Sequence, residues 1–155
     1  MTISKKTLIH LASYVALVLW AIVIFILSSE GSDASSGRSG AIVQTIQAWG
    51  VSADEDILTF LVRKSAHIIA YFIFGILAYN VMRLYSWPMR RAILISASIV
   101  LLYAISDEFH QYFVPGRSSE VRDVLIDTTA GIMGISVFAL LNARLKAKHL
   151  NNRTR

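Results

Sequence analysis

Residues 8–27 read LIHLASYVALVLWAIVIFIL and contain no Asp, Glu, Lys or Arg. A helix needs about 20 apolar residues to cross the lipid core, so this stretch is long enough by itself. Three more apolar stretches follow, at residues 66–82, 92–106 and 124–141. Their apolar residues are continuous rather than alternating, and lipid cannot satisfy the edge of an open sheet. All four stretches therefore predict helices rather than strands.

The composition agrees with a bilayer as the solvent. The chain is 55% hydrophobic and 16% charged, with a mean hydropathy of +0.56, and an ordinary soluble domain is less apolar. We predict an all-α, polytopic membrane protein that forms a single domain over residues 1–155, a bundle of four transmembrane helices. The helices are expected at about residues 8–27, 64–83, 92–111 and 123–142, with an outer loop at 28–63.

The positions of the charged residues predict the orientation. Five of the 15 Lys and Arg share one side of the predicted membrane with all ten Asp and Glu. The positive-inside rule therefore places the other side, and with it both termini, in the cytoplasm of a plasma-membrane protein. This distribution gives no support for nucleic acid binding. The other ten basic residues are Lys5, Lys6, Arg83, Arg90, Arg91, Arg144, Lys146, Lys148, Arg153 and Arg155.

The outer loop combines a polar run with a short apolar pattern. Residues 28–40 read SSEGSDASSGRSG and lack apolar periodicity, so we expect this run to be flexible. Ile42, Ile46 and Trp49 follow at helical spacing and predict a short amphipathic helix on the outer leaflet. A helix packed over the bundle would give the same pattern. Ser52 with Glu55 predicts a capping box, from which the second transmembrane helix starts and projects above the membrane.

Ionisable residues from three segments reach the same predicted depth. Counting about 20 residues outward from the cytoplasmic ends puts the outer boundary near Arg63, Gln111 and Asp123. On the fourth helix the polar face continues through Gly131 and Gly134, which allow another helix to approach closely. Helical spacing groups Lys64, His67 and Tyr71 on one face, Asp107, His110 and Gln111 on a second, and Asp123 and Asp127 on a third.

Buried carboxylates suggest acid/base chemistry. A carboxylate near lipid must pair, protonate or line a wet cavity. Two acids held together can differ in protonation state, which is one route to an acid/base pair. Asp107, Glu108 and His67 are therefore the candidate catalytic residues of an intramembrane enzyme. An ion-pair clamp that only holds the helices together would give the same pattern, and both interpretations stay open.

Arg117 lies beside the predicted start of the fourth helix, where backbone N–H groups attract anions. With Lys64 and Arg122 it would hold a phosphate or carboxylate, such as the anionic head of a lipid-linked wall precursor. The alternative is that Arg117 only neutralises Asp107, Glu108 or Asp123. The predicted binding residues are Lys64, Tyr71, His110, Gln111, Arg117, Arg122, Asp123 and Asp127.

A metal site is a further alternative. His67, His110 and the carboxylates are suitable ligands for a borderline cation. Their spacing forms no HExxH or comparable pattern. We therefore predict no metal ion and no other cofactor.

Three strings resemble the VanZ-like membrane family. KSAHIIAYFIFG at residues 64–75 is similar to its Lys-x-x-His-x-x-x-Tyr pattern, and SDEFHQYFVPGRSSEVRD at residues 106–123 to its Asp-Glu-x-x-Gln…Pro-Gly-Arg…Asp pattern. DTTAGIMG at residues 127–134 is the third string. Ala70 departs from the glutamate that often precedes the family's tyrosine, and Asp127 stands where asparagine is common. The resemblance implies an envelope membrane protein, and in the name-giving member lowered susceptibility to teicoplanin-type glycopeptides.

Three functional classes remain open. The first is a protein that binds or modifies an envelope lipid, a lipid-linked wall precursor or a glycopeptide. The second is an intramembrane acid/base enzyme that acts on a lipid-linked substrate. The third is a transporter or scaffold, although neither the broken helix nor the inverted repeat typical of many transporters is visible.

Overall fold

The computed structural model describes residues 4–117 and 119–153 of the chain. Within these ranges the chain forms helices and no strand, which confirms the all-α prediction. All helices except the second are long and apolar enough to cross a membrane, so the chain is a multi-pass membrane protein. The helices are α1 (Lys5–Ser28), α2 (Ser32–Ala48), α3 (Glu55–Met82), α4 (Met89–Gln111) and α5 (Val121–Arg153).

The four long helices run up and down, so the bundle has two distinct ends. At one end α1 and α4 finish while α3 and α5 begin, and all ten Asp and Glu of the sequence belong to this end. We call it the acidic end. The opposite end, which we call the basic end, carries Lys and Arg without acids.

The helix that contains the first candidate residues begins at the acidic end with a side-chain cap. The Asp54 carboxylate accepts the N–H groups of Asp56 at 2.9 Å and Ile57 at 3.3 Å, and α3 starts at the next residue. The predicted capping box at Ser52 is therefore wrong, since an aspartate directly before the helix satisfies the free N–H groups and also favours the helix dipole. At 28 residues, or about 42 Å, α3 is longer than the lipid core, which is about 30 Å thick.

The polar run before α3 is more ordered than its composition predicted. Helix α2 begins at Ser32, so the expectation of a flexible run is wrong from that residue onward. The physical reason is tertiary packing: α2 lies against α3 and buries Val43 completely. A helix is confirmed here, but it is longer than predicted and its apolar face was predicted wrongly. It packs on the bundle through Val43, whereas Ile42 is exposed and Trp49 lies exposed just beyond the end of the helix.

Glycines set the distance between α3 and α5. A Cβ atom added to Gly134 would fall on the carbonyl group of Phe72, and one added to Gly75 would fall on that of Gly131. The two backbones are therefore in direct contact, as the sequence predicted for Gly131 and Gly134. This contact brings the polar face of α5 against that of α3.

Hydrogen bonds attach the peripheral helix α1 to the bundle. Only 11% of the residues in the most apolar 18-residue stretch of α1 are buried inside the bundle. The Trp20 indole donates to the Ala70 carbonyl at 2.9 Å, and the Tyr103 hydroxyl donates to the Ala21 carbonyl at 2.5 Å. Polar contacts of this kind hold helices together where lipid removes the hydrophobic driving force. They place the end of α1, at Ser28, beside α4.

Candidate functional site

Asp107 is the centre of a buried polar cluster at the acidic end, where its side chain is 4% exposed. Its Oδ2 atom accepts hydrogen bonds from the Ser28 hydroxyl and the Tyr71 hydroxyl, both at 3.0 Å. The Gln111 amide lies at 3.4 Å from Oδ2 and donates to Ser28 at 3.2 Å. In the described part of the chain, the buried Oδ1 atom has no hydrogen-bond partner. One carboxylate thus joins α1, α3 and α4 through a single oxygen.

A second carboxylate approaches this cluster from α5. Asp127 is 2% exposed, and its Oδ2 atom lies 3.4 Å from Nδ1 of His67. One possible ligand atom each from His67, Asp107 and Asp127 lies within 4.8 Å of the other two. The structure therefore gathers three predicted site residues, which are far apart in sequence, at one point.

Lys64 and Asp123 form an ion pair between α3 and α5. Both side chains are mostly buried, with exposed fractions of 22% and 13%. Lys64 also lies over the ring of Phe60, 5.6 Å from its centre. The charge of Lys64 is thus engaged by Asp123.

Glu108 holds the start of α5. Its Oε2 atom accepts the backbone N–H of Glu120 at 2.9 Å, directly before the first residue of that helix. The Glu120 carboxylate also pairs with Arg122 at 3.0 Å, and the Arg122 side chain is 62% exposed. The structure therefore gives Glu108 a contact with the backbone, and it places Arg122 at the surface rather than inside the cluster.

His110 lies apart from His67, although both were candidates. Its Nε2 atom is 3.0 Å from the Ser29 hydroxyl, and its ring lies 4.5 Å from that of Phe25. His110 therefore belongs to the contact between α1 and α4.

Arg117 contacts the connection between α1 and α2. Its Nε donates to the Glu30 carbonyl at 3.1 Å, and its Nη2 lies 3.4 Å from both the Leu27 carbonyl and the Ser35 hydroxyl. These contacts hold the turn that carries α2 back over the bundle. Arg117 therefore has a structural role whatever else it binds.

Two cavities open beside these residues and share one wall. The polar cavity, of about 130 Å³, is lined by Phe60, Arg63, Lys64, His67, Gln111, Arg117, Glu120, Asp123 and Asp127. The apolar cavity, of about 140 Å³, lies between α1, α2 and α3 and is lined by Ile24, Leu27, Ser28, Glu30, Ser35, Ser39, Ile42, Val62, Arg63, Ala66, His67, Ala70 and Arg117. Arg63, His67 and Arg117 line both cavities. The shared wall carries the guanidinium groups of Arg63 and Arg117.

Sequence reasoning missed two residues of this site. Ser28 was assigned to the flexible run, yet it is 1% exposed and bonds to Asp107. Arg63 was used only to mark the membrane boundary, yet it lines both cavities. Adjacent helical residues point about 100° apart, so Arg63 lies off the face of Lys64 and faces α2, whose position no sequence signal gave.

Four membrane-crossing helices around buried ionisable side chains define a polytopic membrane protein with a polar site inside its bundle. A family model described as VanZ/LLP1 matches residues 13–142. The chain therefore belongs to the VanZ/LLP1 family, which confirms the resemblance that its motifs carry. Comparisons with curated proteins and with solved structures find no match.

Proposed function

We propose that this protein binds an amphiphile with an anionic head group, an envelope lipid or a lipid-linked wall precursor, in the two cavities at its acidic end. The observation that carries the proposal is the wall shared by Arg63, His67 and Arg117. The cavity on one side of this wall is polar, and the cavity on the other side presents mostly apolar surface. An amphiphile presents the same two surfaces to a protein.

The charge of Arg63 supports an anionic ligand. Its side chain is half-buried, and among the described residues it makes no hydrogen bond or ion pair. A guanidinium group held at the membrane boundary without a partner attracts phosphate or carboxylate, and its planar fork can bind either one through two parallel bonds. The neighbouring Lys64 is less available, because Asp123 already engages its charge.

The apolar cavity supports a lipid tail. Ile24 and Leu27 of α1, Ile42 of α2 and Val62 of α3 line it. The rest of the bundle covers only a small part of helix α1, so lipid lies against the remainder of this helix in the membrane. A tail can therefore reach this cavity from the bilayer while its head group remains with Arg63.

Arg63→Gln tests the proposal against Arg122→Gln as a matched control, since Arg122 is exposed and lines neither cavity. Hydrogen bonds to a charged group contribute about 1.5–3 kcal/mol, so Arg63→Gln should weaken binding of a fluorescent anionic lipid in detergent by about 10- to 100-fold. Arg122→Gln should bind as the wild type does. Equal affinity in all three proteins would refute the proposed site.

Arg117 offers a second measurement with a different expectation. Arg117→Lys keeps the charge but loses the planar fork, so we expect it to fold and to bind more weakly. Arg117→Ala also removes the bonds to the Glu30 and Leu27 carbonyls and should lower the unfolding temperature. Full binding by Arg117→Lys, together with a large loss of stability in Arg117→Ala, would leave Arg117 with a structural role alone.

The physiological proposal follows from the ligand class. If the ligand is a wall precursor exposed outside the cell, expression of the protein should lower susceptibility to a teicoplanin-type glycopeptide. The minimum inhibitory concentration of such an antibiotic, compared between hosts that express the wild type, Arg63→Gln or Arg122→Gln, measures this effect. Loss of the effect in Arg63→Gln alone would link the antibiotic phenotype to the cavities.

Acid/base catalysis is a second candidate. It is supported by the contact between His67 and Asp127 and by the position of Asp107 beside them. Glu108 is a weaker candidate for this role, because its Oε2 atom already accepts the Glu120 N–H. Hydrolysis or transfer of the head group of the bound amphiphile, abolished by Asp127→Asn with binding retained, would favour the enzyme.

A further inference from the structure

Three ligand-type side chains meet where α3, α4 and α5 come together. They are His67, Asp107 and Asp127, and one nitrogen or oxygen atom of each lies within 4.8 Å of the other two. Asp107 and Asp127 are almost fully buried, at 4% and 2% exposure. Two carboxylates so close together in a bundle surrounded by lipid repel each other and lack solvent, so a proton or a cation must compensate them.

The contact between His67 and Asp127 has the separation of two metal ligands. Nδ1 and Oδ2 lie 3.4 Å apart, longer than the usual hydrogen bond of about 2.9 Å. A tetrahedral zinc ion with bonds of about 2.0–2.2 Å holds its ligand atoms about 3.3–3.6 Å apart. The pair can therefore share a metal ion without moving, and Asp107 lies within 4.8 Å of both atoms.

The free oxygen of Asp107 is an independent observation that points to a ligand. Its Oδ2 atom is held by Ser28 and Tyr71, while Oδ1 is buried and, within the ranges that the structure describes, has no partner. Metal-binding carboxylates are typically oriented by such hydrogen bonds to one oxygen. The arrangement leaves the second oxygen free to coordinate.

We propose that His67, Asp107 and Asp127 bind a divalent transition-metal cation of the zinc class, through Nδ1 of the histidine and one oxygen of each carboxylate. The double positive charge matches the two carboxylates. His67 and Asp127 also line the polar cavity, so a fourth coordination position faces it. Three protein ligands and one open position are typical of catalytic rather than structural zinc. The site does not depend on the proposed lipid.

The sequence predicted no metal because the three ligands lie on separate helices and form no local motif. HExxH and similar sequence patterns indicate a metal site only where one helix supplies two ligands at successive turns. Here the glycine contact between α3 and α5 and the packing of α4 create the set. Only the tertiary structure could reveal it.

The experiment measures Zn²⁺ binding to the purified full chain in detergent, after any histidine tag has been removed, by equilibrium dialysis and metal analysis. Wild type should bind one Zn²⁺ per chain, and Zn²⁺ should raise its unfolding temperature. His67→Gln and Asp127→Asn should each weaken binding by about 100-fold or more, since even loss of an outer partner costs about 10- to 100-fold. The control His110→Gln should bind normally, because His110 contacts Ser29 instead.

Two results would overturn the proposal. One is a folded wild type that binds no Zn²⁺. The other is normal binding by either His67→Gln or Asp127→Asn, which would assign the ion to other groups. Asp127→Asn guards against a folding failure, because asparagine has nearly the shape of aspartate. Lipid binding is measured separately, so the two sites can fail independently.

Discussion

The acidic end and the basic end of the bundle hold their charges in opposite ways. At the acidic end Asp107, Glu108 and Asp127 are 2–4% exposed. At the basic end Arg83 bonds to Asn142 at 3.2 Å, and Arg91 lies 4.6 Å over the ring of Trp87, with both arginines exposed. The basic end also has the larger cavity, of about 610 Å³. Its charges are solvated, so that space needs no ligand to be stable.

The difference shows that burial, rather than cavity volume or the number of charges, marks the candidate site. A charged group in solvent contributes little to stability, whereas one removed from solvent must find a partner. The acidic end supplies partners for some of its charged groups, as in the Lys64–Asp123 pair, whereas Oδ1 of Asp107 has no hydrogen-bond partner in the described part of the chain. Substitutions at the two ends should therefore have unequal effects.

The largest expected effect is the all-or-none exposure of the two ends to opposite sides of the membrane. The chain has no cysteine, so single cysteines report position without interference. We expect Ser52→Cys to react with an impermeant thiol reagent in intact cells, and Ser86→Cys and Asn151→Cys to react only after permeabilisation. The reverse pattern would place the acidic end in the cytoplasm.

Lys64→Ala should destabilise the protein by about 2–4 kcal/mol, because it leaves Asp123 mostly buried without its cation. The matched change at the basic end, Arg83→Ala, should cost less than about 1 kcal/mol, since its contacts are exposed. Unfolding in detergent measures both, and Lys64→Ala combined with Asp123→Ala should recover part of the loss. Similar losses for the two single variants would contradict the contrast between the ends.

Gly134→Ala should cost about 1–3 kcal/mol, because its new methyl group would overlap the Phe72 carbonyl and push α3 and α5 apart. The same separation would move Asp127 away from His67, so the binding of Zn²⁺ by these two residues should also weaken. Gly40→Ala is the control, as open space surrounds Gly40 and alanine favours helix. The unfolding temperature and the Zn²⁺ affinity are measured on both variants. If Gly134→Ala lowers neither quantity, the glycine contact does not position the site.

Glu108→Gln should have the smallest effect, within about 1 kcal/mol of wild-type stability, because the amide oxygen can still accept the Glu120 N–H. Binding of Zn²⁺ and of anionic lipid should be unchanged. Thermal unfolding and the two binding assays test this. A loss of metal affinity comparable to that of Asp127→Asn would show that Glu108 belongs to the ligand set.

The sequence determined the membrane class, the four spanning helices, the polar faces of α3, α4 and α5 and the role of Gly131 and Gly134, because these depend on hydrophobic length and helical period alone. It also gave the common depth of His67, Asp107 and Asp127. Depth fixes one coordinate, whereas rotation about each helix axis is set by packing. For that reason only the tertiary structure could separate His110 from His67 and turn Arg122 outward. Tertiary packing also decided that the polar run forms α2, which closes the apolar cavity over Arg63. The reason is that a helix of such low apolar content is stabilised by its contact with α3 rather than by its own helix propensity.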